Sequence, residues 1–220
     1  MRQNKVGKSD PYVFNFYAKL INYKKSYKRI AFFGNKESSV FTNWFDAEEK
    51  EYFDLELGNW NINTFPYNSN KKYDLIVCTR VAYFSKHPKQ MLKEFNRLLN
   101  KEGIILIDWG LGDHWRFKNF KIGWKKDEEH EYAYNSNNHL WSTFIDEDVI
   151  KSENFKNFTN ECKKFNYHDV KSEIYKEVDV VLSEKDIIEE KLRIKNLETL
   201  FLWPEFPQLY KGLILEKNDL

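Results

Sequence analysis

Short apolar runs recur along the chain, and most of them end at a glycine or a polar residue. Residues 29–33 (RIAFF), 73–78 (YDLIVC) and 103–109 (GIILIDW) are almost continuously apolar, while residues 52–57 (YFDLEL) are mixed. Strands that are apolar throughout are buried on both faces, as in a parallel sheet covered by helices. The pattern therefore predicts four strands of a largely parallel sheet.

Helical spacing of apolar residues marks the segment between the third and fourth predicted strands. Residues 88–99 (PKQMLKEFNRLL) place their apolar side chains on one face, and Pro88 stands where a first helical turn tolerates proline. Strand, helix and strand joined by short links predict a right-handed βαβ unit. Other helices are expected at residues 11–27, 146–165 and 184–200. Further strands are expected at residues 167–175 and 210–216.

Two regions, residues 59–72 and 110–145, show neither the apolar pattern of a strand nor that of a helix. Long loops in compact α/β domains are usually functional or disordered. Three of the seven tryptophans lie in the second region and a fourth, Trp109, comes directly before it, which favours a functional loop or insertion. Since the chain shows no repeat or low-complexity linker, we expect one domain over residues 1–220, with a helical segment at residues 1–28.

Charge and composition exclude several classes of protein. The chain has 35 Lys and Arg against 34 Asp and Glu, a net charge of +1, which argues against nucleic-acid binding through bulk electrostatics. Aromatic residues make up 17% of the chain, far more than disordered proteins carry. Cys78 and Cys162 lie too far apart for a CxxC metal site or a disulfide scaffold, and the histidines lack ligand spacing, so no metal is expected.

The amino-terminal residues are polar and basic, and the apolar runs are too short to cross a bilayer. We therefore expect a cytoplasmic protein without membrane association.

Residues 61–107 (NINTFPYNSNKKYDLIVCTRVAYFSKHPKQMLKEFNRLLNKEGIILI) resemble class I S-adenosylmethionine-dependent methyltransferases. The likeness lies in a turn of the Leu-Pro-Phe type, a YDLI strand, a helix of the form L-x-E-x-x-R-L-L and a strand after Lys-x-Gly. It is good over residues 25–110 and loose elsewhere. It implies a Rossmann-like, doubly wound α/β fold, with a mostly parallel sheet, an antiparallel last strand and helices on both faces. It also implies S-adenosyl-L-methionine as cofactor.

In this fold, ligands bind at the carboxyl ends of the strands where the strand order reverses. By resemblance, Gly34 and Asn35 follow the first strand and approach the cofactor's methionine part. Thr79 and Arg80 follow residues 73–78 and line the cofactor and its entrance.

The resemblance also suggests contacts for the nucleoside part of the cofactor. Asp54 and Glu56 compete as the carboxylate that accepts hydrogen bonds from the ribose hydroxyls, with Glu56 slightly preferred. Asn61 matches the position that binds the adenine amine. Relatives have a helix and a strand where residues 58–60 stand. Either the domain is abbreviated, or residues 52–57 correspond to the third strand.

The aromatic loop after residues 103–109 follows the strand where relatives hold the acceptor. Asp108, Asp113 and His114 offer carboxylates and an imidazole that accept a proton during methyl transfer. The expected apolar walls of the acceptor pocket are Tyr83, Trp109 and Trp115. Such aromatic walls suit a small, partly planar or cationic acceptor.

Three functions remain open from the sequence. The first is methyl transfer from S-adenosyl-L-methionine to a small molecule. The second is a methyltransferase-like binding or regulatory protein without catalysis, which the single glycine of the first loop favours. The third is an RNA-modifying methyltransferase that uses a basic edge formed by Lys24, Lys25, Lys28 and Arg29.

Overall fold

A computed structural model describes residues 10–21, 25–37, 39–82, 85, 87–113, 121–122, 153, 157, 184–202 and 208–218. The helices are α1 (Asp10–Leu20), α2 (Pro88–Leu98) and α3 (Glu184–Glu189). The strands are β1 (Ser26–Phe33), β2 (Asp46–Phe53), β3 (Tyr73–Cys78), β4 (Leu99–Asp113), β5 (Lys121–Ile122), β6 (Leu192–Leu202) and β7 (Gln208–Lys217). Short 3-10 helices cover Val40–Trp44 and Leu55–Leu57.

The strands form one sheet in the order β2-β1-β3-β4-β7-β6, and β5 pairs beside β4. Strands β1 to β4 are parallel, whereas β7 runs antiparallel to both of its neighbours. From β1 the chain goes to β2 on one side and then crosses to β3 on the other. The strand order therefore reverses between β1 and β3. The predicted Rossmann-like sheet with an antiparallel last strand is confirmed.

Helices cover both faces of the sheet because side chains alternate between the faces along each strand. On one face, α1 packs through Val13 and Tyr17 against a layer that includes Ile30 and Phe32. On the other face, α2 packs against a layer that includes Phe33. Its buried apolar side chains are Met91, Leu92, Phe95 and Leu98.

The segment between β2 and β3 contributes side chains to the α2 face. Trp60, Ile62 and Tyr67 are buried in the cluster around Phe33. Glu94 of α2 holds this segment, since its carboxylate accepts the backbone N–H of Tyr67 at 2.9 Å. An ion pair with Arg97 at 2.8 Å supports Glu94, and Arg97 also donates to the carbonyl of Tyr67. Aromatic packing and these hydrogen bonds thus fix the segment between β2 and β3 against the α2 face.

The predicted strand at residues 52–57 is wrong in its position. Strand β2 ends at Phe53, and its first residues, DAEEKE, are too polar to show an apolar pattern. Among the described strands, β2 has only β1 as a neighbour, and such an edge strand commonly carries charges. Since β2 pairs in parallel with β1 directly, it is the second strand, and the abbreviated-domain alternative holds for the described residues.

Helix boundaries also differ from the prediction. The helix expected at residues 184–200 ends at Glu189, and the chain turns at Lys191, whose φ is +56°, into β6. Pairing with β7 determines the strand here, which local helical spacing does not reveal. The helix expected at residues 11–27 ends at Leu20, because Ser26 and Tyr27 pair with β2.

Other predicted elements have longer bounds or fall outside the described residues. Strand β4 continues to Asp113, because β7 and β5 pair with it beyond residue 109, so the loop expected from residue 110 begins later. Of the helix expected at residues 146–165, only residues 153 and 157 are described, and both are helical. The strand expected at residues 167–175 lies outside the described residues.

Candidate functional site

Gly34 directly follows β1 and contacts residues at the carboxyl ends of β2 and β3. Its N–H donates to the carbonyl of Phe53 at the end of β2, with an N···O distance of 2.7 Å. Its φ of +77° lies in the left-handed region that favours glycine. A Cβ at this position would lie 2.7 Å from Cγ1 of Val81, in the loop after β3. The space beside Gly34 is thus filled by the neighbouring loop.

Two buried polar atoms lie at the ends of β1 and β3, where the strand order reverses. They are Nδ2 of Asn35 and Oγ1 of Thr79, and neither has a hydrogen-bond partner among the described residues. Thr79 is 2% exposed. Because buried polar groups are nearly always hydrogen-bonded, and ligands bind this edge in folds of this kind, these two atoms are candidates for contact with a polar ligand.

Asp54 and Glu56 have different surroundings. Asp54 follows the last residue of β2, is half-buried, and accepts the N–H of Glu56 at 2.8 Å, which caps the short 3-10 helix. The Glu56 side chain is 75% exposed and forms an ion pair with Lys36. Asp54 therefore lies directly after β2, whereas Glu56 lies in the 3-10 helix that follows; which of the two contacts the ribose stays a prediction.

Asn61 begins the segment that follows the β2 turn. Its side-chain oxygen accepts the N–H of Asn63 at 2.9 Å, and the residue is exposed. The amide therefore stabilises a local turn, and its oxygen keeps a second lone pair for another donor.

Asp108 is fully buried at the end of the parallel part of β4. Its Oδ1 accepts the backbone N–H of Arg80 at 2.6 Å, and its Oδ2 accepts the hydroxyl of Tyr17 from α1. Burial raises the pKa of Asp108 to about 7, although these two hydrogen bonds act in the opposite direction. Arg80 has a φ of +61°, an uncommon conformation for a residue other than glycine.

The remaining candidates for acceptor contact are not placed by the structure. Tyr83, His114 and Trp115 lie outside the described residues, as do the side chains of Trp109 and Asp113. Their roles stay predictions. Among the described residues, Gly34, Asn35, Asp54, Thr79 and Arg80 follow the ends of neighbouring strands, and Asp108 lies within β4 where its parallel pairing with β3 ends.

Sequence reasoning missed Tyr17 and Val81. Tyr17 belongs to the apolar stripe of α1, which predicts burial, but nothing in that stripe indicates that its hydroxyl reaches Asp108, 91 positions away. Val81 follows Arg80 in a predicted loop, and only the tertiary structure brings it against Gly34.

The raised pKa of Asp108 predicts a pH-dependent stability. The ordinary pKa is 3.8, so between about pH 4 and 7 the folded protein holds a proton that the unfolded chain has lost. This group therefore makes the protein less stable as pH rises through that window. Relative to Asp108→Asn, the wild-type free energy of unfolding should fall by about 1 kcal/mol from pH 5 to 6.

Denaturant titrations at several pH values measure this difference. Hydrogen bonds from the side chains of Lys71 and Arg29 lower the pKa of Glu49 to about 2. Glu49 therefore makes the protein more stable as pH rises, the opposite of Asp108, but only below about pH 4.5, outside the measured range. Parallel pH profiles for the wild type and Asp108→Asn between pH 5 and 7 would contradict the assignment.

Comparison with known proteins identifies the class to which this fold corresponds. The family described as "Methyltransferase domain" matches residues 39–107, which include β2, β3, α2 and most of β4. No curated protein matches the sequence significantly.

Two solved structures share the fold. One is the N-methyltransferase NodS from Bradyrhizobium japonicum WM9 in complex with S-adenosyl-L-homocysteine. It is 11% identical, with 94% of this chain and 88% of that chain covered and a TM-score of 0.50. The other is a putative sarcosine dimethylglycine methyltransferase from Galdieria sulphuraria. It is 10% identical, with 96% and 88% covered and a TM-score of 0.50.

These findings confirm the resemblance to class I S-adenosylmethionine-dependent methyltransferases. The family match lies in the central block of the chain, and the likeness of fold extends over nearly all of it. In the described part of the chain, no three His, Cys, Asp or Glu side chains are grouped to hold a metal ion. No described helix is both long and apolar enough to cross a membrane.

Proposed function

We propose that the chain is a methyltransferase that binds S-adenosyl-L-methionine at the carboxyl ends of β1, β2 and β3 and methylates a small molecule. The observation that carries this proposal is the pair of unpartnered buried atoms, Asn35 Nδ2 and Thr79 Oγ1, at the reversal of strand order. A buried donor and a buried hydroxyl at this edge suit a ligand with several polar groups.

The described residues fit the cofactor in part. Asn35 and Thr79 supply unused hydrogen-bonding groups, and Asp54 supplies a carboxylate at the end of β2 for the ribose hydroxyls. Asn61 supplies an amide for the adenine side. Gly34 fits less well as a direct contact, because Val81 fills the space beside it. Asn35, rather than Gly34, is therefore the proposed contact in the first loop.

Bound S-adenosyl-L-methionine supplies a methyl group on a positively charged sulfur, which makes that group reactive towards nucleophiles. The chain's own contribution is to align the acceptor, to exclude water and to take up a proton where the acceptor loses one. Asp113 and His114 are the proposed proton acceptors. Tyr83, Trp109 and Trp115 are the proposed walls of the acceptor pocket.

A small acceptor is preferred over RNA because two of the four residues of the proposed basic edge, Arg29 and Lys25, have partners within the protein. The guanidinium of Arg29 pairs with Glu49 at 2.6 Å and donates to the carbonyl of Lys72. The ammonium of Lys25 lies 5.7 Å from the centre of the Tyr27 ring. The net charge of +1 adds no general attraction for phosphates.

Binding without catalysis is the second candidate function. Two observations favour it. The described residues between β1 and β2 form a helix of only one short 3-10 segment, Val40–Trp44, and Val81 fills the space beside Gly34 in the first loop. Under this candidate, the chain is a methyltransferase-like binding or regulatory protein that does not catalyse methyl transfer.

Thr79→Val tests the proposed site because valine has the shape of threonine without its hydroxyl. The hydroxyl has no partner in the described part of the protein, so its loss should leave the melting temperature unchanged or higher. Affinity for S-adenosyl-L-homocysteine, measured by calorimetry, should fall about fivefold to tenfold.

Thr42→Val is the matched control. Thr42 is fully buried, but its hydroxyl has partners within the protein: it donates to the carbonyl of Ser39 at 2.8 Å and lies 3.4 Å from the carbonyls of Lys36 and Glu37. This variant should lose about 1 kcal/mol of stability and keep the wild-type affinity. Equal affinities in the wild type and Thr79→Val would remove Thr79 from the site. If the wild type binds neither S-adenosyl-L-methionine nor S-adenosyl-L-homocysteine at millimolar concentration, the proposed function fails.

Transfer of a labelled methyl group separates the two candidate functions and the two kinds of acceptor. Label in a low-molecular-weight product other than S-adenosyl-L-methionine itself supports the small-molecule enzyme, and label in RNA supports the other acceptor. Cofactor binding without transfer to either fraction supports the non-catalytic protein.

A further inference from the structure

A buried carboxylate connects three separate elements at the carboxyl edge of the sheet. Asp108 lies on β4, accepts the backbone N–H of Arg80 after β3 at 2.6 Å, and accepts the hydroxyl of Tyr17 from α1. Asp108 and Tyr17 are both fully buried. The two carboxylate oxygens therefore have different partners within the protein.

The hydrogen bond from the Arg80 N–H to Asp108 lies just beyond the last paired residues of β3 and β4. The ladder between β3 and β4 ends at the pair Cys78–Ile107, and two residues later Arg80 adopts its φ of +61°. A left-handed conformation is unfavourable for arginine and persists only where neighbouring contacts enforce it. The carboxylate of Asp108 is such a contact.

The conformation of Arg80 affects the residues on either side of it. Thr79 carries the unpartnered buried hydroxyl, and Val81 packs against Gly34. A change at Arg80 would therefore move the proposed cofactor contact and the packing between the two loops together. A general base, in contrast, needs a carboxylate oxygen that faces the acceptor.

We propose that Asp108 is a positioning residue, and that Tyr17 orients its carboxylate so that helix α1 forms part of the site. The pair holds residues 79–81 in the shape that binds the cofactor. The link to cofactor binding rests on the proposed function, whereas the effect of Asp108 and Tyr17 on the conformation of residues 79–81 does not require a cofactor. This role replaces the expected role of Asp108 as a proton acceptor.

Asparagine distinguishes positioning from proton transfer. In Asp108→Asn the side-chain oxygen still accepts from Arg80, and the new NH₂ donates to the Tyr17 oxygen, which is also an acceptor. The raised pKa of Asp108 indicates that an uncharged side chain is tolerated here. Asp108→Asn should therefore keep affinity for S-adenosyl-L-homocysteine within about threefold, while Asp108→Ala loses about tenfold or more.

Hydrogen exchange at the Arg80 amide tests the hold without any cofactor. Exchange should be about tenfold faster in Asp108→Ala and severalfold faster in Tyr17→Phe than in the wild type. Tyr27→Phe is the matched control, because the Tyr27 hydroxyl is buried in the same core layer without a partner in the described part of the chain. In Tyr27→Phe, the Arg80 amide should exchange at the wild-type rate.

The outcomes separate this inference from the proposed function. If Arg80 exchange is unchanged in both Asp108→Ala and Tyr17→Phe, the positioning role is wrong, whether or not the cofactor binds. Faster exchange without cofactor binding by the wild type supports the hold and overturns the proposed function. A turnover loss of about a hundredfold in Asp108→Asn with unchanged affinity would restore the proton-acceptor role.

Discussion

Phe33→Ala should lower the free energy of unfolding by about 4 kcal/mol, the cost typical of truncating a fully buried phenylalanine. Phe33 ends β1, has no exposed surface, and lies at the centre of an aromatic cluster. Its ring centre lies 4.6, 5.0, 5.4 and 5.5 Å from those of Phe53, Phe95, Trp60 and Tyr67, respectively. Alanine would leave a cavity and remove four aromatic contacts at once.

Denaturant unfolding measures this loss. Phe33→Leu retains most of the apolar volume and should cost about 1.5 kcal/mol or less. Leu55→Ala removes a side chain that is 67% exposed, so its effect should stay within about 0.5 kcal/mol. If Phe33→Ala proves no more costly than Phe33→Leu, the cluster does not hold the segment after β2 against the sheet.

Gly34→Ala should cost about 3 kcal/mol, for two separable reasons. An alanine at a φ of +77° is strained by about 1–2 kcal/mol, and its Cβ would lie 2.7–2.9 Å from three carbon atoms of Val81. Gly58→Ala is the matched control, since Gly58 has a φ of +70° but no heavy atom within 4 Å of the Cβ position. Gly58→Ala should show the strain alone.

The contribution of Val81 is isolated by a double-mutant cycle. Combining Gly34→Ala with Val81→Ala removes two of the three close atoms, Cγ1 and Cγ2, and leaves the Cβ of residue 81 at 2.9 Å. The two single costs should therefore sum to more than the cost of the double variant by about 1 kcal/mol. Equal costs for Gly34→Ala and Gly58→Ala would mean that the loop after β3 does not press on Gly34. Measured affinity for S-adenosyl-L-homocysteine then shows whether Gly34 also contributes to binding.

Local sequence determined the elements whose own pattern reports burial, on both faces for a strand and on one face for a helix. Strand β3 and helix α2 have nearly the bounds that their patterns predict, because continuous apolar runs and one-sided helical spacing report burial directly. Strand β2 was misplaced, because its charged residues lie at an edge where only one neighbour is described. Strand β6 was mistaken for a helix, because its pairing with β7 is a long-range interaction.

Some features of the candidate site were determined by the sequence and others only by the tertiary structure. Because parallel strands place their carboxyl ends at one edge, Asn35 and Thr79 could be proposed for the site from their positions after apolar runs, whereas Asp54 was a candidate only through the family resemblance. The contacts of Asp108 with Tyr17 and Arg80, and of Gly34 with Val81, join residues 28 to 91 positions apart. Such contacts depend on how helices and loops pack onto the sheet, and no local pattern encodes that packing.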